Sequence, residues 1–377
     1  MKTHFINKLQ GFLLAVIINA NVFSALRFPF NEFYALFSSL LVIIIGITLI
    51  YNSVIFNKKK SIVLFFLFFL IVTISLLQAH SFYNINIYCK YIIIILLCLV
   101  SYFQNIDSIV FFLKTTVFMN IILAFVSFLN INFIVSNLAV NYLNCTYSLG
   151  ISYLIILVSI FYKFNYKKLF ILLLLFTAMF KYPSRGTIIF TLFLSFVLLY
   201  KNRPKKSKTI KFLFLGLIIF FVCLISWTIN FFLKDSYLIF RFINLFTDIG
   251  EEPRIALYSK AFTAIRQNFL FGVGIGNSGP ALGYSLGAYP HNIFLEAFLE
   301  FGLFGLLIFV LILVKYIKIL IKASSLNNLG LILFYVFIYC FLIFQKSFSL
   351  IYSQYLLIPL FLSAALNRVD LLKNRIQ

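Results

Sequence analysis

Residues 272–305 read GVGIGNSGPALGYSLGAYPHNIFLEAFLEFGLFG and place a Gly-rich polar loop, a histidine and two glutamates against the start of a long apolar run. His291 follows Pro290, and Glu296 and Glu300 come one helical turn apart, on one face if the run is a helix. An imidazole titrates at about pH 6.5 when unperturbed, so His291 can accept a proton from a hydroxyl or donate a hydrogen bond to a phosphate. Carboxylates this close to lipid are costly unless paired or wet, which makes Glu296 a candidate to orient His291 or to act as the base itself. A histidine that only bonds backbone at a helix start is the structural alternative. His80 has no comparable neighbours and reads as an interfacial side chain.

Two arginines could meet an anion. In Lys181-Tyr-Pro-Ser-Arg185-Gly186, Pro183 and Gly186 break one helix and Ser184 can cap the next, holding Arg185 at a membrane surface beside a helix N-terminus. A guanidinium there suits a phosphate or pyrophosphate by charge and by paired hydrogen bonds; a snorkelling anchor is the plainer use. Arg254 follows Glu251-Glu252-Pro253 and opens the pattern Ile255, Leu257, Tyr258, Ala261, Phe262, Ile265, an amphipathic helix with proline in its first turn. Glu251 and Glu252 suit the helix dipole, whereas a cation at a helix start is unfavourable unless something negative approaches it. The glycines of Gly272-Val-Gly-Ile-Gly276 are spaced GxGxG without a strand-turn-helix context, so they predict close backbone packing or a turn, or amides presented to a ligand, and not a dinucleotide loop.

The elements that must position these residues are membrane helices. Of 377 residues 63% are hydrophobic, 51 are phenylalanine, and only 11% are charged, too few to cover a water-soluble domain. The formal charge of +22 does not point to nucleic acid, because the basic residues cluster at helix ends. Cys89, Cys98, Cys145, Cys223 and Cys340 are scattered without ligand spacing and read as core or lipid-facing residues; neither a metal nor another cofactor is expected.

A helix needs about 20 mostly apolar residues to cross the hydrocarbon core. Twelve segments qualify, with cores at 11–26, 33–56, 62–79, 87–103, 109–129, 149–162, 168–182, 187–200, 212–233, 293–314, 329–345 and 349–366. The first is read as a retained span, not a cleaved signal. The expected fold is therefore an all-α polytopic integral membrane protein, one membrane domain over 1–377, with about twelve transmembrane helices. Both termini are expected in the cytoplasm, because the greater part of the 31 Lys and Arg residues then falls in cytoplasmic connections, as in Lys58-Lys59-Lys60 and Lys205-Lys206. This scheme puts the connection 80–86, the polar stretch 130–147 and a large loop, 234–292 with short helices, on the outside. That loop carries Lys234, Arg241, Arg254, Lys260 and Arg266 against the charge rule, and an anionic ligand would explain them.

The ordered set of Ser184-Arg185-Gly186, Arg254 before its amphipathic helix, Gly272-Val-Gly-Ile-Gly276-Asn277, and His291-Asn292-Ile-Phe-Leu-Glu296 leading to Gly302 and Gly305 resembles the O-antigen ligase/polymerase superfamily of bacterial inner-membrane glycosyltransferases. The likeness covers about residues 170–310 and the topology as a whole. It implies a multi-pass protein of the inner membrane whose active site faces the periplasm and uses undecaprenyl-diphosphate-linked glycans as donor and acceptor. It also implies no nucleotide sugar or metal. By this resemblance Arg185 and Arg254 contact the diphosphate, with Arg241 a further contact, and His291 is the functional histidine.

Within the superfamily the favoured activity is the repeat-unit polymerase, with a protein that controls chain length as a partner. The alternative is the ligase that transfers glycan to lipid A core. A flippase for lipid-linked oligosaccharide would also suit twelve spans, but should carry charges near mid-membrane, and here they gather at the rims.

Overall fold

The computed structural model describes residues 2–19, 59–77, 82–129, 131–182, 184–201 and 253–376. The expected spans 33–56 and 212–233, Arg241, and loop residues 234–252 lie outside the described residues. Among the described residues the secondary structure is helical, with no strand. In chain order the helices are α1 (Lys2–Ile18), α2 (Lys59–Leu76), α3 (Phe82–Tyr102), α4 (Ile106–Leu129), α5 (Ile131–Tyr162), α6 (Tyr166–Met179), α7 (Arg185–Lys201), α8 (Pro253–Gln267), α9 (Ser278–Ala281), α10 (Ile293–Leu326), α11 (Asn328–Phe344) and α12 (Gln354–Ile376). A 3-10 turn, Leu350–Tyr352, precedes α12.

The arrangement of side chains is that of a protein solvated by lipid. On α4 the exposed face carries Phe118, Ile122, Phe125 and Phe128, while Thr116, Asn120 and Ser127 are buried. On α7 the outward residues include Ile189, Phe193 and Phe196, the last 62% exposed, while Thr187, Thr191 and Ser195 point inward. Apolar outside and small polar inside is the reverse of a water-soluble bundle. Several of the buried hydroxyls and amides bond locally or across helices. Thr191 Oγ1 donates to the Thr187 carbonyl at 2.7 Å, Asn120 Nδ2 to Asn19 Oδ1 on α1 at 2.9 Å, and Asn19 Nδ2 to Thr116 Oγ1 at 3.2 Å.

Among the described residues, four helical stretches are long and apolar enough to cross a membrane: Tyr83–Tyr102, Ile106–Phe128, Leu143–Tyr162 and Ile293–Leu326. Shorter apolar helices, including Gly186–Tyr200 and Asn328–Phe344, pack beside them. Helix α5 contacts α4, α6, α7 and α11, and α12 contacts α3, α10 and α11, so these two form the interior of the bundle. Cys98, Cys145 and Cys340 are buried free thiols and Cys89 is exposed.

Two elements differ from the sequence expectation. The polar stretch 130–147 is helical from Ile131 onward, because its Asn and Ser residues are dispersed among apolar ones with no proline or glycine before Gly150 to stop the helix. At 32 residues α5 is roughly 48 Å long at 1.5 Å per residue and exceeds the roughly 30 Å hydrocarbon core, so it projects beyond the apolar layer. The tenth expected span, read as one continuous helix, is interrupted within α10 at Gly302 (φ 66°, ψ −166°).

That interruption holds the loop. Released from the helical ladder, the Leu299 and Glu300 carbonyls accept from Val273 N at 2.8 Å and Gly274 N at 3.1 Å, while Leu303 N donates to the Phe269 carbonyl at 2.9 Å. The break is tolerated because the Leu299 and Glu300 carbonyls and the Leu303 amide find protein partners in the loop. A Cβ on Gly302 would stand 2.2 Å from the Leu270 carbonyl oxygen, in a backbone region that only glycine enters readily. Gly302→Ala should therefore cost on the order of 3 kcal/mol and lower the unfolding temperature of the purified protein; an unchanged melting curve would contradict this account of the break.

Candidate active site at one end of the helix bundle

The chain returns to the same end of the bundle at four places: the start of α7, the start of α8, the start of α10, and the turn 345–350 between α11 and α12. Asn292 joins two of them. Its Oδ1 caps α10 by accepting from Phe294 N and Leu295 N, both at 3.1 Å, while its Nδ2 donates to Gln345 Oε1 at 3.2 Å. Tyr289 OH donates to the Ser347 carbonyl at 2.8 Å, so the approach to α10 and the turn are tied twice.

His291 lies between these ties. Its φ of 57° is the one positive value at a non-glycine position among the described residues, a conformation that β-carbon sterics disfavour and the surrounding packing must hold. The ring packs 4.3 Å from the Tyr289 ring, centroid to centroid, and is hydrogen-bonded to the Ser347 backbone. Nδ1 is buried without a hydrogen-bond partner. Burial lowers the His291 pKa below its usual 6.5, and the nearby Arg254 guanidinium lowers it further, with the Ser347 bond opposing them. The imidazole is thus neutral at pH 7.

Arg254 is brought there by α8. Leu257, Ala261, Ala264 and Ile265 form its inner face and pack on Val273, Leu282, Leu295 and Leu299, a small core separate from the main one. Of the residues in the amphipathic pattern, Ile255 and Phe262 instead face outward, together with Phe269, Leu270 and Phe271. Phe271 lies 5.7 Å from Phe304 on the lipid-facing side of α10, so this apolar edge continues the membrane-facing surface. Arg185 is the first residue of α7, as the Pro-Ser break predicts, and the adjacent Gly186 lies against the Lys346 side chain of the turn 345–350.

The two glutamates are both buried, Glu296 at 1% and Glu300 at 3% exposure, and they bind different elements. Glu296 accepts from Leu350 N at 2.8 Å and from Ser349 Oγ, so its two oxygens hold the turn 345–350. No direct hydrogen bond joins it to His291; the two are connected through Ser347 and Ser349. Glu300 accepts from Ser278 Oγ at 2.6 Å, Gly276 N at 3.2 Å and Tyr91 OH on α3 at 3.1 Å. The Gly-rich loop therefore wraps a carboxylate of the protein itself. Asn84 on α3 closes the loop from outside by donating to the Ile275 carbonyl and to Asn277 Oδ1 at 2.7 Å.

The structure thus gathers Arg254, His291, Glu296 and the helix start bearing Arg185. Sequence reasoning passed over the turn Gln345-Lys346-Ser347-Phe348-Ser349, together with Tyr91 and Asn84. The turn's signal was its polarity between two apolar runs; nothing in the sequence placed it against His291.

The family model described as O-antigen ligase matches residues 169–310, which supports the O-antigen ligase/polymerase superfamily. The match runs from α6 into the first half of α10 and takes in Arg185, Arg254, His291 and Glu296, but stops short of the turn 345–350. No curated protein matches the chain.

Proposed function

We propose that this protein is a glycosyltransferase of the bacterial inner membrane that polymerises undecaprenyl-diphosphate-linked repeat units at the periplasmic face. The observation that carries the reading is His291: a buried, neutral imidazole with a vacant Nδ1, held on strained backbone within the field of Arg254. An acceptor sugar hydroxyl gives its proton to Nδ1 as its oxygen bonds to the donor's anomeric carbon. The bond from that carbon to the diphosphate oxygen breaks, and undecaprenyl diphosphate leaves with the electron pair. Arg254 and Arg185, with Arg241 as a further contact, stabilise the charge that grows on the leaving diphosphate, the task a divalent cation performs in many soluble glycosyltransferases. Glu296 acts through the turn that holds His291. It is a positioning residue.

The ligase that passes glycan to lipid A core is the second reading, favoured by the match of residues 169–310 to the O-antigen ligase family. Deleting the gene separates the two. Loss of a polymerase leaves lipid A core capped by a single repeat; loss of a ligase leaves bare core with polymer stranded on its carrier. A deletion strain with a normal ladder of surface polysaccharide overturns both.

A further inference from the structure

Helix α8 has three sides. Ala261, Ala264 and Ile265 are buried, packed with Leu282 and with Leu295 and Leu299 from the first half of α10. Lys260, Thr263 and Gln267 form an exposed polar side, with Lys260 Nζ 4.2 Å from the centre of the Tyr284 ring. About a third of a turn from these, Ile255 and Phe262 form an apolar side, 60% and 55% exposed, and they lie nearly in line along the helix. Phe269, Leu270 and Phe271, just past the end of α8, are exposed as well and extend this side into a loop tip. The tip is fixed to the bundle. Phe269 packs 5.4 Å from Phe298 and Phe271 5.7 Å from Phe304, centroid to centroid, and the Val273 and Gly274 amides donate to α10 carbonyls. Phe304 in turn begins an exposed ridge, continued by Leu307 and Leu311, on a helix of membrane-crossing length.

We propose that α8 is seated on the bilayer surface, with Ile255, Phe262 and the tip Phe269-Leu270-Phe271 set into the boundary between phospholipid headgroups and acyl chains. The occupant of this apolar side is lipid because the side runs without interruption, through Phe271 and Phe304, into the ridge of α10 that faces the hydrocarbon. Left in water, five large apolar side chains in one patch would be an unstable surface. An amphipathic helix in this position buries its apolar face roughly 5–10 Å below the headgroups and keeps its charged residues above it. The charges fit that depth: Lys260 lies on the polar side, and Arg266, exposed beside the apolar side, has a stem long enough to lift its guanidinium to the phosphates. Arg254, one residue before Ile255, is then held at the height of the phosphates too. This seating does not depend on the reaction proposed above.

The test reads tryptophan fluorescence from the full chain in phosphatidylcholine vesicles whose acyl chains carry bromine either near the headgroup or near the terminal methyl. The single native tryptophan is first removed by Trp227→Phe, and Phe262→Trp is compared with Gln267→Trp from the polar side. Phe262→Trp should emit at short wavelength and lose most of its emission to the shallow bromines and little to the deep ones. Gln267→Trp should emit as in water and lose little to either. Ile255→Trp and Phe271→Trp take the place of Phe262→Trp if that variant is poorly recovered. Water-like emission and equally slight quenching at both positions overturn the seating. Stronger quenching by the deep bromines places α8 within the hydrocarbon and overturns a surface seating. Short-wavelength emission that no bromine quenches means that protein covers this side, a second copy of the chain if the emission reverts on dilution with lipid, and overturns the proposal as well.

Discussion

His291→Ala is expected to lower the rate of glycan transfer by about 10²- to 10⁴-fold at neutral pH, the usual worth of a positioned general base. The loss should fall on kcat, because Nδ1 meets the acceptor proton as the new bond forms. The pH dependence gives the sign. Burial and Arg254 hold the His291 pKa below 6.5, so the active neutral form persists through pH 6.5 and is lost only as pH falls through that lowered pKa. Wild-type activity should therefore show an acid limb below pH 6.5 that is absent from the residual activity of His291→Ala. Activity that rises as the pH falls would instead mean that protonated His291 binds phosphate.

Arg254→Ala should cost about 10²- to 10³-fold in transfer, the effect of deleting one preorganised charge that faces the leaving group. Arg254→Lys should recover only part, since an ammonium keeps the charge but not the paired geometry for diphosphate. Removing the guanidinium also withdraws one cause of the depressed His291 pKa, so that pKa should rise toward 6.5. Histidine-selective carbethoxylation followed against pH reads this directly: the midpoint for His291 should move upward in Arg254→Ala. A midpoint that stays put, with transfer undiminished, would remove Arg254 from the site.

The parts of this architecture legible in the sequence are those written in local pattern. Runs of apolar residues gave the helices from α2 to α7 and from α10 to α12, apart from the extended α5 and the break in α10, because length and hydropathy decide what can lie in lipid. Pro183 and Pro253 marked the starts of α7 and α8, where proline or the residues beside it interrupt one helix and admit the next. His291 and the arginines stood out as polar residues at apolar boundaries. What could not be read was long-range pairing. The break at Gly302 depends on loop 269–274 arriving to satisfy the freed carbonyls, and a glycine in an apolar helix gives no hint of that partner. Glu296 and Glu300 share one face by spacing, yet their roles diverge because Ser349 and Leu350 meet one while Ser278, Gly276 and Tyr91 meet the other. Lys346 follows the same logic: only the fold of α11 back toward α7 makes it a neighbour of Gly186.

The central claim is that one cationic end of this bundle moves a glycan from a lipid diphosphate to a sugar hydroxyl activated by His291. Its most direct measurement is reconstitution of the purified full-length protein in vesicles with undecaprenyl-diphosphate-linked repeat units, following lipid-linked products and free undecaprenyl diphosphate together. The account predicts a ladder that grows by whole repeats, with one undecaprenyl diphosphate released per joining, and its collapse in His291→Ala. The same ladder from His291→Ala, or no joining by the wild-type protein given intact substrate, would contradict it.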